Sequence, residues 1–422
     1  MPLKIISALQ LPKLIFYQPV YGGLANPTQP QPVIILSNHI TSPYEWIDQS
    51  LQSIHKANWY RSTQTITTRA GTIAQVDGRQ MLMFASNNYL GLAGDRRLTK
   101  AAIAAIEKYG TGSTGSRLVT GHLDLHEELE REIADLKGSE ASLVFSSGYL
   151  ANLGTIAAIA GARDLILGDA FNHSCLKKGA LMSGATVLDY QHLDCEDLRS
   201  KLQQYRHRHR RCLITTDSVF SMDGDLAPLS AIMQLAAEYD CMVLVDEAHG
   251  TGVFGDRGGG LTESFKIQQE LIQVGTLSKA LGSLGGYVAG SAKLIDFLRN
   301  RAATWIYTTA LSPADTAAAI AAIKIIKSES SLRQQLWQNV AMVKQGLTEL
   351  GLSAIALDSP IIAIEVGDIA KTLELAKYLK ENGIFAPAIR PPTVPTARIR
   401  ITLMATHTPE QIQSLMDCLR NF

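Results

Sequence analysis

The chain has 422 residues, of which 46 % are hydrophobic and 18 % charged, enough for one large domain and a smaller one around a core that needs no covalent staple. Lys plus Arg and Asp plus Glu stand equal at 39 each, so no overall field draws the chain to nucleic acid, and no run reaches the roughly 18 unbroken apolar residues of a membrane span. Its five cysteines, Cys175, Cys195, Cys212, Cys241 and Cys418, form no C-x-x-C pair; neither a disulfide framework nor a metal site is expected, and a reducing cytoplasm fits.

Residues 1–42 contain no acid and no arginine, only Lys4 and Lys13, with prolines between Pro27 and Pro32. Lacking a cleavage pattern, they read as a poorly ordered extension rather than a targeting peptide. Residues 43–90 read as an arm. "PYEWIDQSLQSIHKANWYR" spaces Trp46, Leu51 and Ile54 for an amphipathic helix, and "TITTRAGTIAQVDGRQMLMFASNN" breaks at Asp77-Gly78, a hairpin signature. Over 91–325, helical runs alternate with the short apolar runs "ASLVFSS", "DLILGD", "TVLDY", "RCLITTDS", "CMVLVDEA", "LIQVGT" and "GGYVAGS". That alternation predicts an α/β fold: a large domain built on a mostly parallel sheet with helices on both faces. Residues 326–422 give a long helix, then "PIIAIEVG", "TLELAKYLKENGI" and "ARIRITL", a small C-terminal α+β domain.

Three motifs look functional and fail. Gly110, Gly112 and Gly115 spell G-x-G-x-x-G, but a helical run precedes them where a dinucleotide site needs a strand. "DEAH" invites a helicase reading, yet no G-x-x-x-x-G-K-[ST] loop exists to cradle a phosphate. The basic run "YRHRHRRC" has acids nearby and reads as solvated surface.

Three others agree with one another. Asp246 follows a buried apolar strand, a costly place for an acid unless it meets a positive partner. Lys279 lies among glycines, serines and alanines in "GTLSKALGSLGGYVAG", with no acid beside it; in a dry site its pKa falls and it becomes a nucleophile toward aldehydes. An acid on a pyridinium nitrogen and a lysine on an aldehyde are the two handles proteins use on pyridoxal 5'-phosphate. "LVFSSGYLANLGT" opens a helix at Gly148 and Tyr149, where free N–H groups suit a phosphate. His173, in "DAFNHSC", is placed to stack on the ring.

In order, "SNNYLGLAG", "GTGSTGSRLVTGHLDLHEELE", "VFSSGYLAN", "NHSC", "DSVFSMDGDLAPL", "VDEAHGTGVFG", "TLSKALGSLGGY", "IYTTALSP" and "IRPPTVP" before "ARIRITL" resemble the α-oxoamine synthase family. These are fold-type I pyridoxal-phosphate enzymes that join an amino acid to an acyl thioester with loss of carbon dioxide. The resemblance implies Lys279, Asp246 and His173 as catalytic residues. It implies cofactor contacts from Gly148, Tyr149, His173, Ser221, Asp246, His249, Thr276 and Lys279, with Thr309 reaching the phosphate of the partner in a homodimer. Asn87 and Arg400 match positions that hold the amino-acid carboxylate, and Arg61 one near the acyl substrate. "IRPPTVP" is most similar to members that use L-alanine with pimeloyl-CoA or pimeloyl-acyl carrier protein in biotin synthesis. Members that use glycine with acetyl or succinyl donors are the alternative. The stretch between "TVP" and "ARIR" is shorter here than in several relatives.

Overall fold

The computed structural model describes residues 42–57, 59–265 and 270–422; the extension expected over 1–42 lies outside the described residues, Ser42 excepted. The chain divides into two compact units, Met1–Arg61 and Ser62–Phe422. In the first, the expected helix forms over Glu45–Lys56, with Glu45 and Asp48 in its first turn and His55 and Lys56 in its last, a charge order that suits the helix dipole. Taken by itself, it buries none of its side chains.

The second unit starts with the hairpin of β1 (Ile73–Val76) and β2 (Arg79–Met83). Asp77 and Gly78 between them take φ of 48° and 79°, the left-handed pair of a two-residue turn that matches the strand twist.

Each of the seven apolar runs then forms a strand: β3 (Ala141–Phe145), β4 (Leu165–Asp169), β5 (Thr186–Tyr190), β6 (Cys212–Asp217), β7 (Met242–Asp246), β8 (Ile272–Thr276) and β9 (Gly286–Gly290). They form one sheet in the order β3-β9-β8-β7-β6-β4-β5. All run parallel except β9, which is antiparallel to both its neighbours. The central strands β4, β6, β8 and β9 are buried along their whole length, which is why their sequences are continuous apolar runs rather than alternating ones. Polar residues stand where the strands finish: Asp217 ends β6 and Asp246 ends β7, paired in register.

Helices Pro313–Ser328 and Ser330–Glu349 lead into β10 (Ile361–Gly367), β11 (Ile384–Phe385), β12 (Ala388–Ile389) and β13 (Ala397–Thr402). β13 lies between β10 and β12, antiparallel to both, with Arg400 opposite Ala363 and a bulge in β10 between Glu365 and Gly367. β11 instead extends the N-terminal hairpin, pairing in parallel with β2.

Candidate active site

The carboxyl ends of β6, β7 and β8 converge with the start of helix Gly148–Ile159 and with β13. Asp246 is 4 % exposed. Its Oδ1 accepts the Ala248 N–H at 2.8 Å, and its Oδ2 accepts the Asn152 Nδ2 amide at 2.7 Å. The Cys175 thiol lies 3.9 Å from the same Oδ2; all three partners are neutral, so among the described residues the buried carboxylate has no cation paired with it.

Lys279 follows β8 by three residues. Its Nζ lies 2.7 Å from His249 Nε2, an imidazole rather than a carboxylate. The other ring nitrogen of His249, Nδ1, is 2.5 Å from the hydroxyl of Tyr89. That hydroxyl is 3.4 Å from Asn87 Oδ1, which accepts Arg400 Nη2 at 3.1 Å. The Tyr89 oxygen also accepts a hydrogen bond from Arg400, so one path of hydrogen bonds joins the amine at 279 to the guanidinium at 400. Arg400 also donates to the Ser221 carbonyl at 2.6 Å and to the Thr402 hydroxyl at 2.9 Å; these acceptors are all neutral. Arg398, on the same face of the strand, is instead ion-paired with Asp223. β13 thus presents two buried arginines, one neutralised by the protein and one left with an unmet preference for a planar anion.

Ser147 caps helix Gly148–Ile159, its hydroxyl accepting the Leu150 N–H at 3.2 Å; the amides of Gly148 and Tyr149 before it have no intrahelical acceptor. Thr276 abuts this turn: a Cβ on Gly148 would lie 3.1 Å from Thr276 Cβ. A Cβ on Gly286 would lie 2.3 Å from the Gly148 nitrogen, so backbone meets backbone with no room for a side chain. His173 caps the helix Ser174–Ser183. Its backbone N–H donates to Asp217 at 2.7 Å, its Nδ1 lies 2.8 Å from Cys175 Sγ, and its ring meets Tyr149 edge-on at 6.5 Å. Thr309 is exposed, and its carbonyl accepts the Ser146 hydroxyl at 3.1 Å. Arg61 ends the first unit, and the residues described above all belong to the second.

The electrostatics follow from burial. Lys279 is held below the usual lysine value by desolvation, although Asp246 and Asp217 pull the other way. Desolvation, with Lys279 and Arg400 nearby, keeps His249 neutral, and desolvation pushes the Tyr89 phenol up so that it keeps its proton. Burial, reinforced by Asp246, raises the carboxyl of Asp217. The result is an amine that gives up its proton more readily than an ordinary lysine beside a neutral imidazole, between an unpaired carboxylate and an unpaired guanidinium.

These residues fit pyridoxal phosphate. Lys279 can take the aldehyde, Asp246 the ring nitrogen, and the Gly148–Tyr149 turn with Thr276 the phosphate. Arg400 and Asn87 remain for a carboxylate. The alignment of motifs did not single out Asn152, Tyr89 or Thr402. Tyr89 sits inside "SNNYLGLAG" and Asn152 closes "VFSSGYLAN", but neither motif shows which distant side chain its residue meets.

Elsewhere, His192, Asp223 and Asp225 bring ligand-type atoms within 4.8 Å of one another. Both His192 nitrogens already lie 2.8 Å from carboxylates, of Asp169 and Asp225, and Asp223 is taken by Arg398; the group is an ion-pair network. In "YRHRHRRC", Arg210 and Arg211 both bind Asp164 at 2.9 Å, and the run precedes β6, at the opposite end of the sheet from Asp246.

Comparison with known proteins agrees with this geometry. The family described as "Aminotransferase class I and II" matches residues 79–419. A protein of Rippkaea orientalis named "Putative 8-amino-7-oxononanoate synthase" is 60 % identical over 377 residues, 89 % of this chain and 98 % of that protein. Among solved structures, one of SPT with PLP is 29 % identical with a TM-score of 0.84, covering 90 % of this chain and 97 % of its own. An 8-amino-7-oxononanoate synthase of Francisella tularensis is 29 % identical with a TM-score of 0.70, covering 81 % and 97 %. The chain belongs to the aminotransferase class I and II family, in its fold-type I, α-oxoamine synthase branch.

Proposed function

We propose that the chain is an 8-amino-7-oxononanoate synthase, which uses pyridoxal phosphate to condense L-alanine with a pimeloyl thioester, on coenzyme A or acyl carrier protein. The products are 8-amino-7-oxononanoate, carbon dioxide and the free thiol, a step toward biotin in the cytoplasm. One observation carries the reading: the hydrogen-bonded path from the Lys279 amine through His249 and Tyr89 to Arg400, with Asn87 beside it. It sets a nucleophilic nitrogen and an unpaired guanidinium at the two ends of one site, the two groups an α-amino acid requires.

When bound, pyridoxal phosphate supplies an electron sink for charge developing at the amino-acid Cα. The residues that would hold it are Lys279 at the aldehyde, Asp246 at the ring nitrogen, His173 against the ring, and Gly148, Tyr149 and Thr276 at the phosphate. Ser221 and His249 would face the phenolic oxygen. Arg400 and Asn87 grip the alanine carboxylate and fix the direction of the Cα–H bond. Lys279, its pKa lowered by burial, takes that proton as general base and returns one after carbon dioxide has left. Arg61 would meet the acyl substrate. In a homodimer, Thr309 would reach the partner's phosphate; the exposed Leu118, Val119 and Tyr307 support such an interface. The sheet domain over 91–325 would carry the cofactor, and residues 326–422 the carboxylate clamp.

The test is a spectral titration of the purified protein with pyridoxal phosphate, then L-alanine or glycine, then pimeloyl, acetyl or succinyl thioesters. A visible band that vanishes in Lys279→Ala, with carbon dioxide release only for alanine plus pimeloyl donor, is expected. Turnover in Lys279→Ala, or turnover with glycine alone, would overturn the assignment.

A further inference from the structure

Asp246 Oδ2 is held by a residue from a different part of the chain. Asn152, in the first turns of helix Gly148–Ile159, directs Nδ2 to Oδ2 at 2.7 Å and to the Gly148 carbonyl at 3.1 Å. Both are acceptors, so the atom between them must be the NH2 nitrogen and the amide cannot be flipped. Its Oδ1, facing the other way, is buried without a hydrogen-bond partner. A residue kept only for packing would not carry that cost, since an apolar side chain of like volume leaves nothing unsatisfied. The second bond, to Gly148, ties the same amide to the turn read above as the phosphate cradle.

We infer that Asn152 is a positioning residue: it fixes the Asp246 carboxylate for the ring nitrogen and couples that orientation to the phosphate-binding turn. The inference rests on the reading that pyridoxal phosphate binds here. Asn152 touches no reacting atom; it acts through Asp246.

The experiment measures equilibrium affinity for pyridoxal phosphate and the pH midpoint of the bound cofactor's visible band. The proteins are the parent, Asn152→Ala and Asn152→Ser, each purified, stripped of cofactor and checked for an unchanged circular dichroism spectrum. Losing one hydrogen bond to a charged group should weaken binding by about tenfold in Asn152→Ala and shift the midpoint. Asn152→Ser, which keeps a short donor, should recover part of both and serves alone if the alanine variant does not fold. In an Asp246→Asn background, Asn152→Ala should cost less than about threefold more, because the residue acts through the carboxylate. Unchanged affinity and midpoint in the Asn152 variants, or a full additional loss in the Asp246→Asn background, would overturn the inference. If the parent gives no visible band, the functional reading fails; if only the variants match the parent, Asn152 alone is wrong.

Discussion

Nζ of Lys279 and Nε2 of His249 are 2.7 Å apart, with the Tyr89 hydroxyl 2.5 Å from the far side of the same ring. The Tyr89 phenol, raised by burial, keeps its proton and donates to Nδ1. The ring is neutral, so its one N–H sits on Nε2 and points at the Lys279 nitrogen.

Tyr89→Phe tests that order. Without the phenol, nothing holds Nδ1 as an acceptor, and protonation of His249 becomes easier. The acidic limb of the pH dependence of kcat/KM should move to higher pH, and kcat/KM at neutral pH should fall by roughly tenfold. A profile superposable on the parent's would show that Tyr89 does not set the tautomer.

The two arginines of β13 should separate cleanly. Arg400→Lys keeps a charge but loses the planar fork, so the KM for alanine should rise by about tenfold or more with little change in cofactor affinity. Arg398→Ala leaves Asp223 buried without its partner, so the melting temperature should drop, by the equivalent of roughly 3 kcal/mol. Steady-state kinetics and thermal unfolding of both variants are the measurements. A stability loss in Arg400→Lys with unchanged KM would reverse the two assignments.

Gly286→Ala puts a methyl 2.3 Å from the Gly148 nitrogen and should abolish tight cofactor binding, read as loss of the visible band on titration with pyridoxal phosphate. Gly112→Ala is the control from the G-x-G-x-x-G run, since a Cβ there meets nothing within 4 Å. If both variants bind cofactor alike, the cradle at Gly148 is not the phosphate site.

Two buried histidines make stability pH-dependent on the acid side. His126 accepts the Leu123 N–H on Nδ1, His407 accepts the Met404 N–H on Nδ1, and each directs Nε2 to a carbonyl. Burial lowers both from 6.5 to about 4. The unfolded chain therefore binds protons below pH 6.5 that the folded chain refuses, and stability falls as pH drops from about 6.5 to 4, by up to ~3 kcal/mol for each residue. His192 has the opposite sign. Burial alone would lower it, but the carboxylates of Asp169 and Asp225 outweigh burial and raise it to about 9. Its contribution is present below pH 6.5 and is lost as pH rises to 9. Denaturant unfolding at pH 4.5, 6.5 and 9.5, with His126→Gln and His192→Gln, checks both signs; a flat profile would contradict the burial argument.

Much of this was legible in the sequence. Strands β4, β6, β8 and β9 are continuous apolar runs because each is covered on both faces, and Lys279 and Asp246 stand out because each looks wrong for its surroundings. What stayed hidden is pairwise and distant. Nothing local ties Asn152 to Asp246 or Tyr89 to His249, since each pair meets only after crossovers bring strand ends together. Nor does spacing say which of Arg398 and Arg400 is neutralised; that depends on Asp223, in a loop far away along the chain.

The bulge between Glu365 and Gly367 has a consequence for how this chain tolerates change. It lies beside Arg398 and Ala397, where β13 begins, and the pairs beyond it run without interruption through Ala363 and Arg400. An extra residue on β10 there locks the ladder against sliding. Insertions or deletions upstream, between Arg390 and Thr396, should then be absorbed as slack before the lock, leaving the guanidinium where it is. Homologous chains whose connections differ in length at this point can share one clamp.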